Sequence, residues 1–170
     1  MIKIKGLHHN AYRCRDSEET RRFYEDFLGL KLANAFEINE TKTGRKTSVL
    51  HSFYQMADGS FLAFFDAPER PFKFKAQHDY DLHIALEVDL KTLHKMFDKG
   101  HKAGIETRGI SDHGFIDSIY FRDPNGYVVE LTAPRQGSKK MLADAKKTAH
   151  QRLKSWTAAK QRQRPRAAAE

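Results

Sequence analysis

The chain has 170 residues, with 30 Lys and Arg against 22 Asp and Glu, a net charge of +8 and a mean hydropathy of −0.71. That length suits one domain, or two small units sharing a core, and the longest apolar run, Phe61 to Phe65, is far short of the roughly 20 residues of a membrane-spanning helix. The charge excess lies wholly after residue 137, where ten basic residues face two acids, so the balanced body lacks the charged face of a nucleic-acid-binding fold.

Met1 to His9 contains no apolar stretch of secretory length, and the lone Cys14 has no intramolecular disulfide partner. A reducing compartment, the cytoplasm, is the expected location.

Residues Leu7 to Arg13 read as a strand. Asp16 and Ser17 are N-cap candidates for a helix whose Thr20, Phe23, Tyr24, Phe27 and Leu28 recur at helical spacing, with Gly29 as its C-cap. Phe36 to Glu40 reads as a strand, Thr41 to Arg45 as a turn, Thr47 to Met56 as a strand, Ala57-Asp58-Gly59 as a hairpin turn and Ser60 to Phe65 as a buried strand. A charged linker with Pro68 and Pro71 runs from Asp66 to Asp81. The pattern then restarts with a strand at Leu82 to Val88, a helix at Leu90 to Ala103 and a strand at Ile116 to Phe121. A turn at Asp123-Pro124-Asn125-Gly126 leads to a closing strand at Tyr127 to Thr132.

The halves align. His9-Asn10-Ala11-Tyr12 matches His83-Ile84-Ala85-Leu86, and the run from Asp58 to Ala63 matches that from Asn125 to Glu130. A duplication of roughly 65 residues follows. Residues 138 to about 160 read as a helix with an apolar stripe of Leu142, Ala145, Ala149, Leu153 and Trp156, expected to dock on the body, and the last ten residues as disordered.

Two strands begin with histidine, His9 and His83, and the second unit closes on Glu130. If the outer strands of each unit lie side by side, His83 and Glu130 share one cavity and the repeat brings His9 to it. Two imidazoles and a carboxylate leave coordination positions open, a set suited to non-haem Fe(II), or less selectively to Mn(II) or Zn(II). A strand histidine is also often a semi-buried hydrogen-bonding residue. Glu130, if it faces inward, needs a cation to offset several kcal/mol of burial cost; if it is the outward member of the alternation, it does not.

Gly6-Leu7-His8-His9-Asn10-Ala11 with Phe23 to Leu30, and the run from Phe121 to Leu131, resemble the opening and closing signatures of the vicinal oxygen chelate superfamily. This superfamily contains glyoxalase I, extradiol dioxygenases, fosfomycin-modifying thiol transferases, epimerases and bleomycin-binding proteins. The resemblance spans about residues 6 to 133. It implies an α+β fold of paired βαβββ modules, about 6–66 and 81–133, forming a cupped mixed sheet within a domain of residues 1–137. A basic tail of residues 138–170 lies outside it. It also implies a divalent metal on His9, His83 and Glu130; a register slip of one residue would put His8 in place of His9.

The fourth glyoxalase I ligand falls on or near Ala63, which cannot bind metal, so the three-ligand extradiol site is the nearer match. Tyr120 falls where those enzymes carry an active-site tyrosine. Their acid–base histidine falls on Ser60, and His51 on the preceding strand is the substitute proton carrier. His113, with Asp112 on the same loop, belongs to the pocket rim, Arg122 is a candidate substrate anchor, and Phe64 is a candidate wall for an aromatic ring. The expected function is a metal-dependent enzyme acting on a small substrate with two adjacent oxygens, first an aromatic diol. The alternatives are a lyase, isomerase or thiol transferase on the same site, or a non-catalytic binding protein. A homodimer is left open, and neither a membrane nor a nucleic-acid partner is expected.

Overall fold

The computed structural model describes residues 2–74 and 78–163. In chain order the elements are β1 (His9–Cys14), α1 (Ser17–Arg21), which continues as a π-helical segment (Arg22–Phe27), β2 (Lys31–Glu40), β3 (Lys46–Gln55) and β4 (Phe61–Asp66). The second half holds β5 (His83–Glu87), α2 (Leu90–Lys102), β6 (Thr107–Asp112), β7 (Ile116–Arg122), β8 (Val128–Pro134) and α3 (Ser138–Gln163). Two four-stranded mixed sheets result, ordered β1-β4-β3-β2 and β5-β8-β7-β6. Each has its first strand parallel to its last and the remaining pairs antiparallel. This is the βαβββ module repeated.

Local chemistry sets the element boundaries. Asp16 caps α1 by accepting from the Glu19 N–H at 2.7 Å, and Asp89 caps α2 by accepting from the Thr92 N–H at 2.6 Å. Gly29 and Gly104 take positive φ where the first helical segment and α2 end. Three sequence expectations change. The second strand begins at Lys31 rather than Phe36. A strand, β6, occupies Thr107–Asp112, which the polar, glycine-containing TRGISD pattern did not announce. The register of β1 leaves His8 just outside the strand, so His9 opens it.

The apolar alternation of each sheet faces its helices. Tyr54, Leu62 and Phe64 in the first sheet, and Ile119, Phe121, Val129 and Leu131 in the second, join Phe23, Tyr24, Phe27, Leu93 and Met96 in one core cluster. The modules meet through it: the Phe27 and Phe121 rings pack edge to face at 5.2 Å, and Tyr12 stacks on Tyr127 at 4.9 Å. The buried Tyr24 hydroxyl donates to Asp123 at 3.0 Å, and Asn125 accepts from the Arg15 N–H at 2.9 Å. The turn Asp123–Gly126 therefore ties the second module to the first helix.

Phe64 is fully buried, with its ring 4.6 Å from that of Tyr24. It is a core residue and not a pocket wall, because its strand position faces the helices. The tail helix forms as expected but does not dock on the body through its stripe: Leu142, Leu153 and Trp156 remain 52%, 63% and 67% exposed. The expected disorder of the last ten residues concerns positions that lie mostly outside the described residues.

Candidate active site

The duplication places corresponding residues in corresponding registers. In the first sheet His9 pairs with Phe61 and Ala11 with Ala63, while Phe53 stands across from Ala63. In the second, His83 pairs with Val128 and Ala85 with Glu130, while Tyr120 stands across from Glu130. The sheet face opposite the helices thus carries histidine, carboxylate and phenol in the second module. The matching positions in the first carry histidine, alanine and phenylalanine.

Glu130 is inward of the solvent surface, 6% exposed, with Val128, Val129 and Leu131 beside it on its strand. Its Oε2 lies 3.3 Å from Nε2 of His83. The other imidazole nitrogen, Nδ1, is 2.8 Å from the Asp79 carbonyl oxygen, so Nδ1 carries the proton and donates. That bond leaves Nε2 aimed at the carboxylate. A carbonyl that accepts from the far imidazole nitrogen in this way fixes the tautomer and ring orientation of a metal-binding histidine. A buried carboxylate needs positive charge nearby, which a protonated His83 or a bound cation supplies. An imidazole nitrogen and a carboxylate oxygen with open space beside them fit a divalent metal of borderline character.

Tyr120 stands beside Glu130, its hydroxyl 2.8 Å from Nε2 of His113. Burial, with the negative charge of Glu130 second, raises the Tyr120 pKa above the ordinary phenol value. The phenol therefore stays a hydrogen-bond donor across the neutral range. Arg108 reaches over the Tyr120 ring at 5.6 Å and pairs with Asp79 at 2.6 Å. These groups, with Phe115 and Ile116, line an open concavity of about 620 Å³ whose floor is His83 and Glu130.

His9 is not at that floor. Among the described residues no three His, Cys, Asp or Glu side chains gather into a metal-holding group. His9 lies on the first sheet, its ring 5.6 Å from Phe53 and 6.4 Å from His51, with its Nδ1 2.8 Å from Nδ1 of His8. His51 is buried, stacks on Phe65 at 3.7 Å and binds the Phe64 carbonyl through Nδ1 at 3.0 Å. Phe36 and Phe53 flank it, so the outer face of the first sheet is an aromatic surface with one exposed histidine.

Arg122 does not line the concavity; it pairs with Glu106 at 2.9 Å and the Gly126 carbonyl at 3.0 Å and reaches the outer side of the site through Asp79 at 3.7 Å. Ser60 donates to Asp58 at 2.6 Å and holds the turn before β4, a structural task. Asp112 closes β6 and pairs with Arg135. The sequence reading missed Asp79 and Arg108. Asp79 sits in a stretch read as a linker, and its contact to His83 is made by the backbone carbonyl, which no residue type announces.

The family model described as the Glyoxalase/Bleomycin resistance protein/Dioxygenase superfamily matches residues 6–131. MhqA of Bacillus subtilis strain 168, provisionally named a ring-cleaving dioxygenase, is 29% identical over 140 residues, which cover 80% of this chain and 42% of that protein. This chain thus spans less than half the length of that relative. The metallothiol transferase FosB of Bacillus licheniformis is 30% identical over 131 residues, covering 76% of this chain and 75% of FosB. Among solved structures, the fold is similar to a glyoxalase/bleomycin resistance protein/dioxygenase domain from Frankia, with TM-score 0.63 and 18% identity over 78% of this chain and all of that one. FosX of Listeria monocytogenes, a fosfomycin resistance protein solved with Mn(II), has TM-score 0.59 and 18% identity over 81% of this chain and 98% of that one. With the family model matching most of its length and each half folded as a βαβββ module, the chain belongs to the glyoxalase/bleomycin resistance protein/dioxygenase superfamily.

Proposed function

We propose that this chain is a metal-dependent enzyme that binds a small substrate through two adjacent oxygens, with an aromatic diol as the first substrate class. The observation that carries this is the buried Glu130 carboxylate beside a His83 imidazole whose other nitrogen is already anchored. His83 and Glu130 would hold the metal, and His9 of a second copy would supply the third ligand. The aromatic outer face of the first sheet, half-exposed in the single chain, supports that pairing, since apolar surface of this kind marks an interface or a ligand site. A bound divalent ion supplies Lewis acidity and a template for the chelated oxygens and, as iron, access to dioxygen.

The chain's own residues have distinct tasks. Tyr120, held protonated, donates to a substrate oxygen and stabilises the negative charge that develops there. His113 at 2.8 Å fixes the direction of that phenol. His51, on the same sheet face as His9, binds the Phe64 carbonyl through Nδ1, which leaves its second nitrogen as the proton acceptor. Phe53 and Phe61 provide flat apolar walls for a ring.

Elemental analysis of anaerobically purified protein tests this. Wild type retains a divalent metal after dialysis, and Glu130→Gln does not, while its circular dichroism is unchanged. Oxygen uptake with a catechol on the iron form identifies ring cleavage. Wild-type protein that retains no metal and cannot be loaded with Fe(II), Mn(II) or Zn(II) overturns the reading. A second reading, thiol transfer on the same site, is favoured by the even coverage of FosB against the partial coverage of MhqA. Metal retention with thiol consumption and no oxygen uptake selects it.

A further inference from the structure

Helix α3 carries most of the charge excess of the chain, eight Lys and Arg against one acid, and an apolar stripe that the body does not cover. Its 26 residues extend about 39 Å at 1.5 Å per residue. Spacings of three and four place Leu142, Ala145, Ala149, Leu153 and Trp156 along one side. Trp156 is 67% and Leu153 63% exposed. The same helix holds eight Lys and Arg and one acid, Asp144, which Lys147 neutralises at 2.7 Å.

The occupant of this surface must satisfy both features. A second α3 would cover the stripe but would bring eight more cations to an interaxial distance of 8–10 Å, comparable to the screening length of about 8 Å at physiological salt, with only one acid on each helix to offset them. A nucleic-acid backbone would neutralise the cations and leave Trp156 and Leu153 in water. An anionic bilayer meets both needs, with headgroup phosphates for the lysines and arginines and the acyl boundary for the indole and leucines. We propose that α3 is an interfacial helix that lays Leu142, Leu153 and Trp156 into the surface of an anionic membrane. It lies on the bilayer and does not cross it; no helix among the described residues is long and apolar enough to span.

The junction places this helix against the candidate active site. The Arg135 N–H donates to the Phe115 carbonyl at 3.0 Å, and the Met141 methyl lies 3.9 Å from the point where a side chain on Gly114 would begin. His113 and Phe115 on that loop form the rim of the concavity. If the function proposed above holds, a docked α3 sets that rim beside an apolar phase from which a sparingly soluble ring compound can enter. The docking itself does not depend on that function.

Trp156 is the only tryptophan, so its fluorescence reports the contact directly. The full chain is mixed with vesicles of phosphatidylcholine alone, and with vesicles of phosphatidylcholine and phosphatidylglycerol at three to one. The anionic vesicles shift the Trp156 emission to shorter wavelength and pellet the protein, neutral vesicles do neither, and 0.5 M NaCl reverses the binding. The surface variant L142E/L153E, which alters no buried position, loses at least tenfold in vesicle affinity with an unchanged circular dichroism spectrum. An emission shift that grows with protein concentration without vesicles assigns the stripe to a second copy and overturns the proposal. So does tighter binding to a duplex oligonucleotide than to anionic vesicles, or no response to either vesicle. No metal or substrate enters the measurement, so its outcome is separate from that of the metal analysis.

Discussion

His83 has its two nitrogens committed in opposite directions, Nδ1 to the Asp79 carbonyl and Nε2 toward Glu130, and that division makes a strand histidine a ligand candidate. Tyr24 is governed by burial in a similar way. Its hydroxyl donates to the buried Asp123, and burial, followed by the Asp123 charge, holds its pKa well above the ordinary value. Tyr54 is pushed up to about 12, mainly by burial. A tyrosine in the unfolded chain ionises near pH 10. Raised folded-state values mean that this stabilisation is complete below about pH 10 and is lost as pH rises further, because the unfolded chain releases protons that the folded one retains. Urea unfolding at about pH 9 and pH 11 is expected to show a marked fall in stability for wild type and a smaller fall for Tyr24→Phe, with the other raised tyrosines, Tyr54, Tyr120 and Tyr127, contributing to the remainder. At neutral pH the same substitution costs about 1.5–3 kcal/mol, the worth of a hydrogen bond to a charged group. An equal alkaline loss in both proteins would remove Tyr24 from this role.

At the scale of elements, caps and close approaches define the second module. The Asp89 carboxylate accepts from the Thr92 N–H, and its pKa is lowered by that bond. Asp89→Ala removes a partner from a helix start that has no other acid in its first turn. A loss of about 1 kcal/mol is expected, seen as a lower urea midpoint at unchanged slope. At the other side of α2, a side chain on Gly100 would collide with Thr107 Oγ1 and with the Phe121 ring at 2.6 Å, so the helix lies tight on β6 and β7. That contact explains how β6 forms from a sequence with little strand character. Its own pattern is weak, but its backbone completes the edge beside β7, and Arg108 and Thr107 on it serve the site and the helix contact.

For the whole molecule, the decisive relation is between sheets rather than within them. His9 and His51 stand on the aromatic face of one sheet, and His83, Glu130 and Tyr120 on the other. If a second copy brings the two faces together, His9→Ala and Glu130→Ala complement each other. Each variant alone fails to retain metal. After mixing under conditions that exchange subunits, some sites combine His9 from one copy with His83 and Glu130 from the other and regain it, as read by Mn(II) electron paramagnetic resonance. A mixture that regains nothing, from a preparation shown to exchange, would place His9 outside the metal site.

The amino-acid order alone determined the repeat, both helix starts, the turn before β8 and the superfamily, because each rests on local chemistry: a capping carboxylate, a glycine at positive φ, an alternation that matches the strand period. It also determined that Glu130 would stand out, since a carboxylate in a Val-Val-Glu-Leu strand has few reasons to be there. Only the tertiary structure decided which histidine stands beside it and what holds that histidine, because Asp79 reaches His83 through a backbone carbonyl that carries no side-chain signature. It likewise decided that Phe64 belongs to the core while Phe53 and His51 face outward, and that the tail's stripe stays bare. Facing depends on register and on which sheet meets which helix, and these are relations between distant segments that no local pattern encodes.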